Sequence, residues 1–88
     1  MKKLCEVSEK QITFKTKILM DTLGKNIKNS REENNMKRVE LAFRANTTES
    51  MICNIENGKK SGVSIYTLVK ISEALEINIE TLFCQNNL

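Results

Sequence analysis

An all-helical fold is what the 88 residues predict. Within residues 36–58, MKRVELAFRANTTESMICNIENG, apolar side chains recur at the three- and four-residue spacings of short helices. Asn, Thr and Gly stand where such helices would turn, start and stop, and no repeat, low-complexity stretch or proline interrupts the chain.

The first sixteen residues, MKKLCEVSEKQITFKT, lie outside this pattern. Gln11-Ile12-Thr13-Phe14-Lys15-Thr16 alternates polar and apolar, which points to a short strand or an arm lying on a partner, with a frayed terminus as the plainer alternative. A first helix is expected from Lys17 to Glu33, with Leu19, Leu23 and Ile27 inward and a stop at Asn34-Asn35. The second covers Arg38 to Ala45, where Leu41, Ala42 and Ala45 form the inner stripe. Small Ala42 matters because two steeply crossing helices need a methyl-sized side chain at their contact.

Asn46-Thr47-Thr48 makes the next turn: Asn tolerates the left-handed conformation, and Thr48 can cap the following helix by accepting from its free amides. That third helix, Glu49 to Glu56, turns Ile52 and Ile55 inward and ends at Asn57-Gly58, glycine supplying the left-handed stop. A fourth helix is expected from Ile65 to Leu75 with Ser64 as its cap, and a fifth from Ile79 to Cys84 with Asn78 as its cap and Thr81 in its first turn.

Eighty-eight residues suit one small domain with one modest core, a size at which dimerisation often helps. The net charge of +3 is unevenly spread: residues 1–60 hold thirteen Lys or Arg against eight Asp or Glu, a balance of +5, and residues 61–88 hold one against three, a balance of −2. A basic half that meets nucleic acid and a neutral half that packs would give this asymmetry, as would scattered solvated lysines. Cys5, Cys53 and Cys84 have no CxxC spacing and the chain has no histidine, so no metal site is implied. Isolated thiols without a signal peptide or a long apolar run lead us to expect a reducing cytoplasm and no membrane partner. Without histidine, a persuasive carboxylate pair, a nucleophile beside a base or a glycine-rich phosphate loop, catalysis has nowhere to reside and no cofactor is implied.

From Leu23 to Phe83 the chain resembles the helix-turn-helix domain of the Cro and cI-type (XRE) repressors. The matching residues are Leu23-Gly24, Ile27 and Arg31, then Leu41-Ala42, Ile52 and Ile55-Glu56-Asn57-Gly58, and finally Leu68, Ile71, Ala74-Leu75, Ile79 and Leu82-Phe83. The resemblance implies a five-helix, lambda-repressor-like domain over residues 17–88, with residues 1–16 as an extension. Three departures stand out. Asn46 replaces the usual Gly, and Arg38 replaces the common Gln, still able to reach phosphate or guanine. Glu49 begins the reading helix, where its carboxylate either accepts from a cytosine amino group or meets the negative duplex unfavourably.

By the same resemblance, Arg38, Thr48, Glu49, Ser50, Cys53 and Asn54 are the candidate base contacts, Asn54 foremost because Asn can bind adenine through two hydrogen bonds. Lys37, Asn57, Lys59 and Lys60 are the candidate phosphate contacts. Arg31 and Glu56 match a pair that bridges the first and third helices, read as structural first. Cys53 falls on the outer side of the reading helix, a small surface side chain before it is a redox sensor, and Cys84 is expected to pack near the last helix. Met51, Val39 and Phe43 are apolar where the family is often exposed, read as core edge ahead of a protein contact.

The function implied is a DNA-binding transcriptional regulator, phage-type repressor or restriction-modification controller, binding double-stranded DNA as a homodimer with reading helices about 34 Å apart. Ile77, Ile79, Leu82 and Phe83 are the expected dimer surface, an apolar end that a small domain has difficulty burying alone. The alternative is an antitoxin or interaction module whose helix-turn-helix holds a protein partner.

Overall fold

The computed structural model describes residues 8–59 and 62–85. Four α-helices, α1 (Glu9–Glu33), α2 (Arg38–Arg44), α3 (Glu49–Glu56) and α4 (Ile65–Leu75), are followed by a 3₁₀ helix, Ile79–Phe83. The class is all-α, as the spacing of apolar residues predicts, with a 3₁₀ turn in place of the fifth α-helix.

α1 begins eight residues before the expected Lys17. Ser8 caps it, its hydroxyl accepting from the Gln11 amide, and Glu9 adds a carboxylate to the first turn. Gln11–Thr16 is therefore helix and not strand. A strand needs a pairing partner and no strand exists among the described residues, whereas a helix satisfies its backbone within the segment. Everything from Glu9 to Leu19 is exposed, Leu19 included, because the other helices meet α1 only along its second half. The inward residues there are Leu23, Gly24, Ile27 and Arg31. The helix stops at the asparagine pair: Asn34 closes it and Asn35 takes a left-handed φ of 56°.

The core gathers Leu23, Ile27, Leu41, Ile52, Ile55, Leu68, Ile71 and Leu75 around Ala42 and Ala45. Leu82 completes it with 0% exposure, which removes this residue from the expected dimer surface. Ile77 and Ile79 pack partly against the same cluster and Phe83 remains 38% exposed. Two further expectations are corrected on α2. Val39 and Phe43 do not edge the core; they lie opposite Leu41 and Ala42, and Phe43 is 85% exposed. Met51, by contrast, packs partly against the core.

Ser64 caps α4 as expected, accepting from the Thr67 amide at 3.1 Å, and the helix ends with Glu76 in the left-handed region at φ 58°. Asn78 precedes the 3₁₀ helix but makes no side-chain cap bond. The other end of that helix is fixed from α1 instead. The Asn26 amide donates to the carbonyls of Leu82 and Cys84, both at 2.8 Å, and lies 3.3 Å from that of Thr81. Carbonyls that a longer α-helix would have needed to satisfy are thus met from outside, and the turn stays short. Cys84 is exposed rather than packed, its thiol donating to the Glu80 carbonyl.

Candidate nucleic-acid interface

The tight crossing of α2 and α3 begins with Ala42 and Ala45, both buried, which let the backbones approach. Asn46 then reverses the chain at φ 54°, and the Thr47 amide donates to the Ala42 carbonyl at 2.9 Å. Lys70 of α4 pins the turn from the far side: its Nζ donates to the Asn46 carbonyl at 3.0 Å and stands 4.8 Å from the centre of the Tyr66 ring. Nothing in the spacing of the sequence marks this lysine, because its partner is a backbone oxygen twenty-four residues away.

Thr48 starts α3, its hydroxyl accepting from the Met51 amide at 3.1 Å. From that cap the helix divides cleanly. Ile52, Ile55 and Glu56 are buried, while Thr48, Glu49, Ser50 and Asn54 are exposed and Cys53 is half-buried. Five of the six candidate base contacts therefore share one ridge of α3. Asn57 closes the helix, its side-chain amide donating to the Cys53 sulfur at 3.4 Å, and Gly58 follows at φ 68°. Asn57, Lys59 and Lys37 are all exposed beside the ridge, Lys37 at the position preceding α2; Lys60 lies outside the described residues.

Glu56 carries the most heavily used carboxylate of the site. Its side chain is 0% exposed; Arg31 donates to it through Nε at 2.7 Å and Nη2 at 3.1 Å, and Arg38 through Nε at 3.0 Å. Arg31, itself buried, spends Nη1 on the Met36 carbonyl at 2.7 Å. One acidic group thus joins α1, the loop after it, α2 and α3. Two parallel N–H bonds to a desolvated carboxylate hold orientation as well as charge. The Glu56 hydrogen bond, followed by its charge, raises the already high pKa of Arg38. Arg38, sixth of the candidate base contacts, is consequently tied back toward the protein instead of standing with the α3 ridge.

A family model described as a helix-turn-helix domain matches residues 24–88. The chain belongs to the helix-turn-helix domain family. This helix-turn-helix domain is of the Cro and cI type, a family of DNA-binding transcriptional regulators. It is similar to the restriction-modification controller protein C.AhdI from Aeromonas hydrophila, at 25% identity and a TM-score of 0.70 over 73% of this chain and 96% of that one. A transcriptional regulator of the HTH_3 family from Vibrio cholerae gives 25% and 0.72 over 77% of this chain and 38% of its own. A variant of the restriction-modification controller protein C.Esp1396I gives 28% and 0.67 over 74% and 81%. No curated protein sequence matches the chain. No helix among the described residues is long and apolar enough to cross a membrane.

Proposed function

We propose that this domain is a sequence-specific DNA-binding regulator, of the phage-repressor or restriction-modification controller kind, that binds a two-fold symmetric operator as a homodimer. The observation that carries the reading is the division of α3: a polar ridge from Thr48 to Asn54 stands outward while Ile52, Ile55 and the doubly gripped Glu56 fix the helix from behind. A rigid helix with short polar side chains along its outer face is what entry into a major groove requires. Exposed Lys37, Asn57 and Lys59 flank that ridge and supply phosphate contacts, with Lys60 beside them in sequence. The likeness to C.AhdI over nearly all of that protein's length supports the controller form of the proposal.

With Leu82 buried, the dimer surface narrows to Phe83 with Ile77 and Ile79. Residues 17–88 form the working domain in this reading, and the Glu9–Thr16 turns of α1 extend it. A second reading, a protein-interaction module, draws on one observation, the 85% exposure of Phe43 on a helix away from the core. Selection of bound sites from random DNA, beside a mass measurement of the free protein, separates the two. A regulator yields a symmetric consensus bound at least about a thousandfold more tightly than random duplex. Its affinity falls with salt at a slope of about 0.9 per phosphate contacted. A flat salt dependence with no consensus overturns the proposal.

A further inference from the structure

We infer that Glu56 is a positioning residue for DNA binding, one that grips Arg38 and sets its guanidinium as a clamp for a backbone phosphate instead of leaving it to read a base. The inference rests on the regulator reading and assigns to one of its residues a different task from the base contact that the family resemblance implies.

Arg31 alone reaches both carboxylate oxygens of Glu56, through two N–H groups. The second guanidinium is surplus to that bridge. Arg38 nevertheless places its Nε 3.0 Å from Oε1, and its side chain keeps 34% exposure, against 9% for Arg31. Arg31 also stands 3.9 Å from the Glu32 carboxylate, so the charges of the cluster balance, and what Arg38 brings to the surface is the partly exposed guanidinium itself. With Nε committed to Glu56, the donors left to Arg38 are those of Nη1 and Nη2, the fork whose spacing suits two oxygens of a phosphate.

Reach decides between phosphate and base. An arginine that reads guanine must extend past the sugar-phosphate rim to the base edges, whereas one tethered through Nε to the last residue of α3 is held at the level of the protein surface. Lys37, the neighbour of Arg38 in sequence, and Asn57, the neighbour of Glu56, are both exposed, so the Glu56–Arg38 bridge is flanked along the chain by a second cation and an amide. Bracing also removes rotamers that a long free side chain would have to give up on binding.

Affinities for the selected duplex and for a random duplex, measured across a salt series, test this. Arg38→Ala is expected to weaken both duplexes by about tenfold, lower the salt slope by about one and leave base preference unchanged. Glu56→Gln is expected to weaken DNA binding at least about threefold more in the Arg38 protein than in the Arg38→Ala protein; effects passing through Arg31 occur in both backgrounds and cancel. Should Glu56→Gln not fold, Arg38→Lys takes its place: a lysine spent on Glu56 has no fork left, so the slope is kept while affinity falls at least about threefold. Loss of one base identity at unchanged slope, an additive cycle, or a lysine as good as the arginine overturns the inference. A wild-type protein that binds no duplex overturns the regulator reading itself, whereas one that binds but keeps its slope in Arg38→Ala overturns this inference alone.

Discussion

Gly24 of α1 faces the backbone of Glu56 at the end of α3 so closely that a Cβ on it would stand 2.7 Å from the Glu56 carbonyl oxygen and would also strike that of Ile55. Glycine is placed here for proximity. Mid-helix it costs about 1 kcal/mol relative to alanine, yet a methyl group would meet backbone that cannot swing aside. Gly24→Ala should therefore destabilise the domain by about 2 kcal/mol in spite of its better helix propensity. Urea unfolding with an unchanged slope reads that loss directly. A higher midpoint would show that α1 and α3 can separate at no cost.

Removing the acid at Glu56 strands two guanidinium groups, one of them buried. Glu56→Gln should cost about 3 kcal/mol or more, the range for breaking a buried pair from one side. Replacing both ends with apolar residues of similar volume, Arg31→Met with Glu56→Leu, should cost clearly less than the sum of the two single changes, because no buried charge remains and Arg38 can turn to solvent. Additive losses in thermal unfolding would mean that the bridge adds little beyond its separate side chains.

Asn54 and Lys59 should fail in different ways. Asn54→Ala is expected to lose about 1–3 kcal/mol at one base position and to relax the identity of that base, whereas Lys59→Ala weakens every sequence alike and lowers the salt slope by about one. Glu49→Gln should raise non-specific affinity where the carboxylate merely repels phosphate, and shift base preference where it accepts from cytosine. Competition binding with single-base variants of the selected site distinguishes these results. Equal weakening of all duplexes by Asn54→Ala and Lys59→Ala would remove the division between reading and clamping.

Leu82 and Phe83 are neighbours with opposite surroundings, the first fully enclosed and the second more than a third exposed. Leu82→Ala should cost about 2–5 kcal/mol in stability, as cavities in small cores do, without changing the mass of the assembly beyond what unfolding brings. Phe83→Ala should leave the monomer's fold nearly intact and weaken association. Sedimentation at several concentrations checks both, and an unaltered dimer in Phe83→Ala would place the interface elsewhere.

Much of this molecule was legible in order along the chain. The caps Thr48 and Ser64, the left-handed Asn46 and Gly58, and the inward spacing of Leu41, Ala42, Ile52 and Ile55 all act over three or four residues, the range within which sequence and local geometry correspond. The Arg31 and Glu56 pairing, twenty-five residues apart, was carried by the family resemblance and not by local geometry. Elsewhere the reading failed, once locally and otherwise where packing decides, for identifiable reasons. Gln11–Thr16 alternates like a strand but meets no strand among the described residues, and its helix is set by the Ser8 cap. Leu19 and Leu82 are equally apolar, yet Leu19 precedes the point where α3 and the 3₁₀ helix meet α1, while Leu82 falls where they close over it.

What the amino-acid order determined was the set of short helices and the turn that joins the second to the third, because caps, stops and periodicity are local properties. Only the tertiary structure decided that Asn26 would hold the last turn, that Lys70 would pin the carbonyl of Asn46, and that Glu56 would take a second arginine. Those partners lie eighteen to fifty-eight residues apart, and a polar group finds such a partner only after helix packing has excluded the water that would otherwise satisfy it.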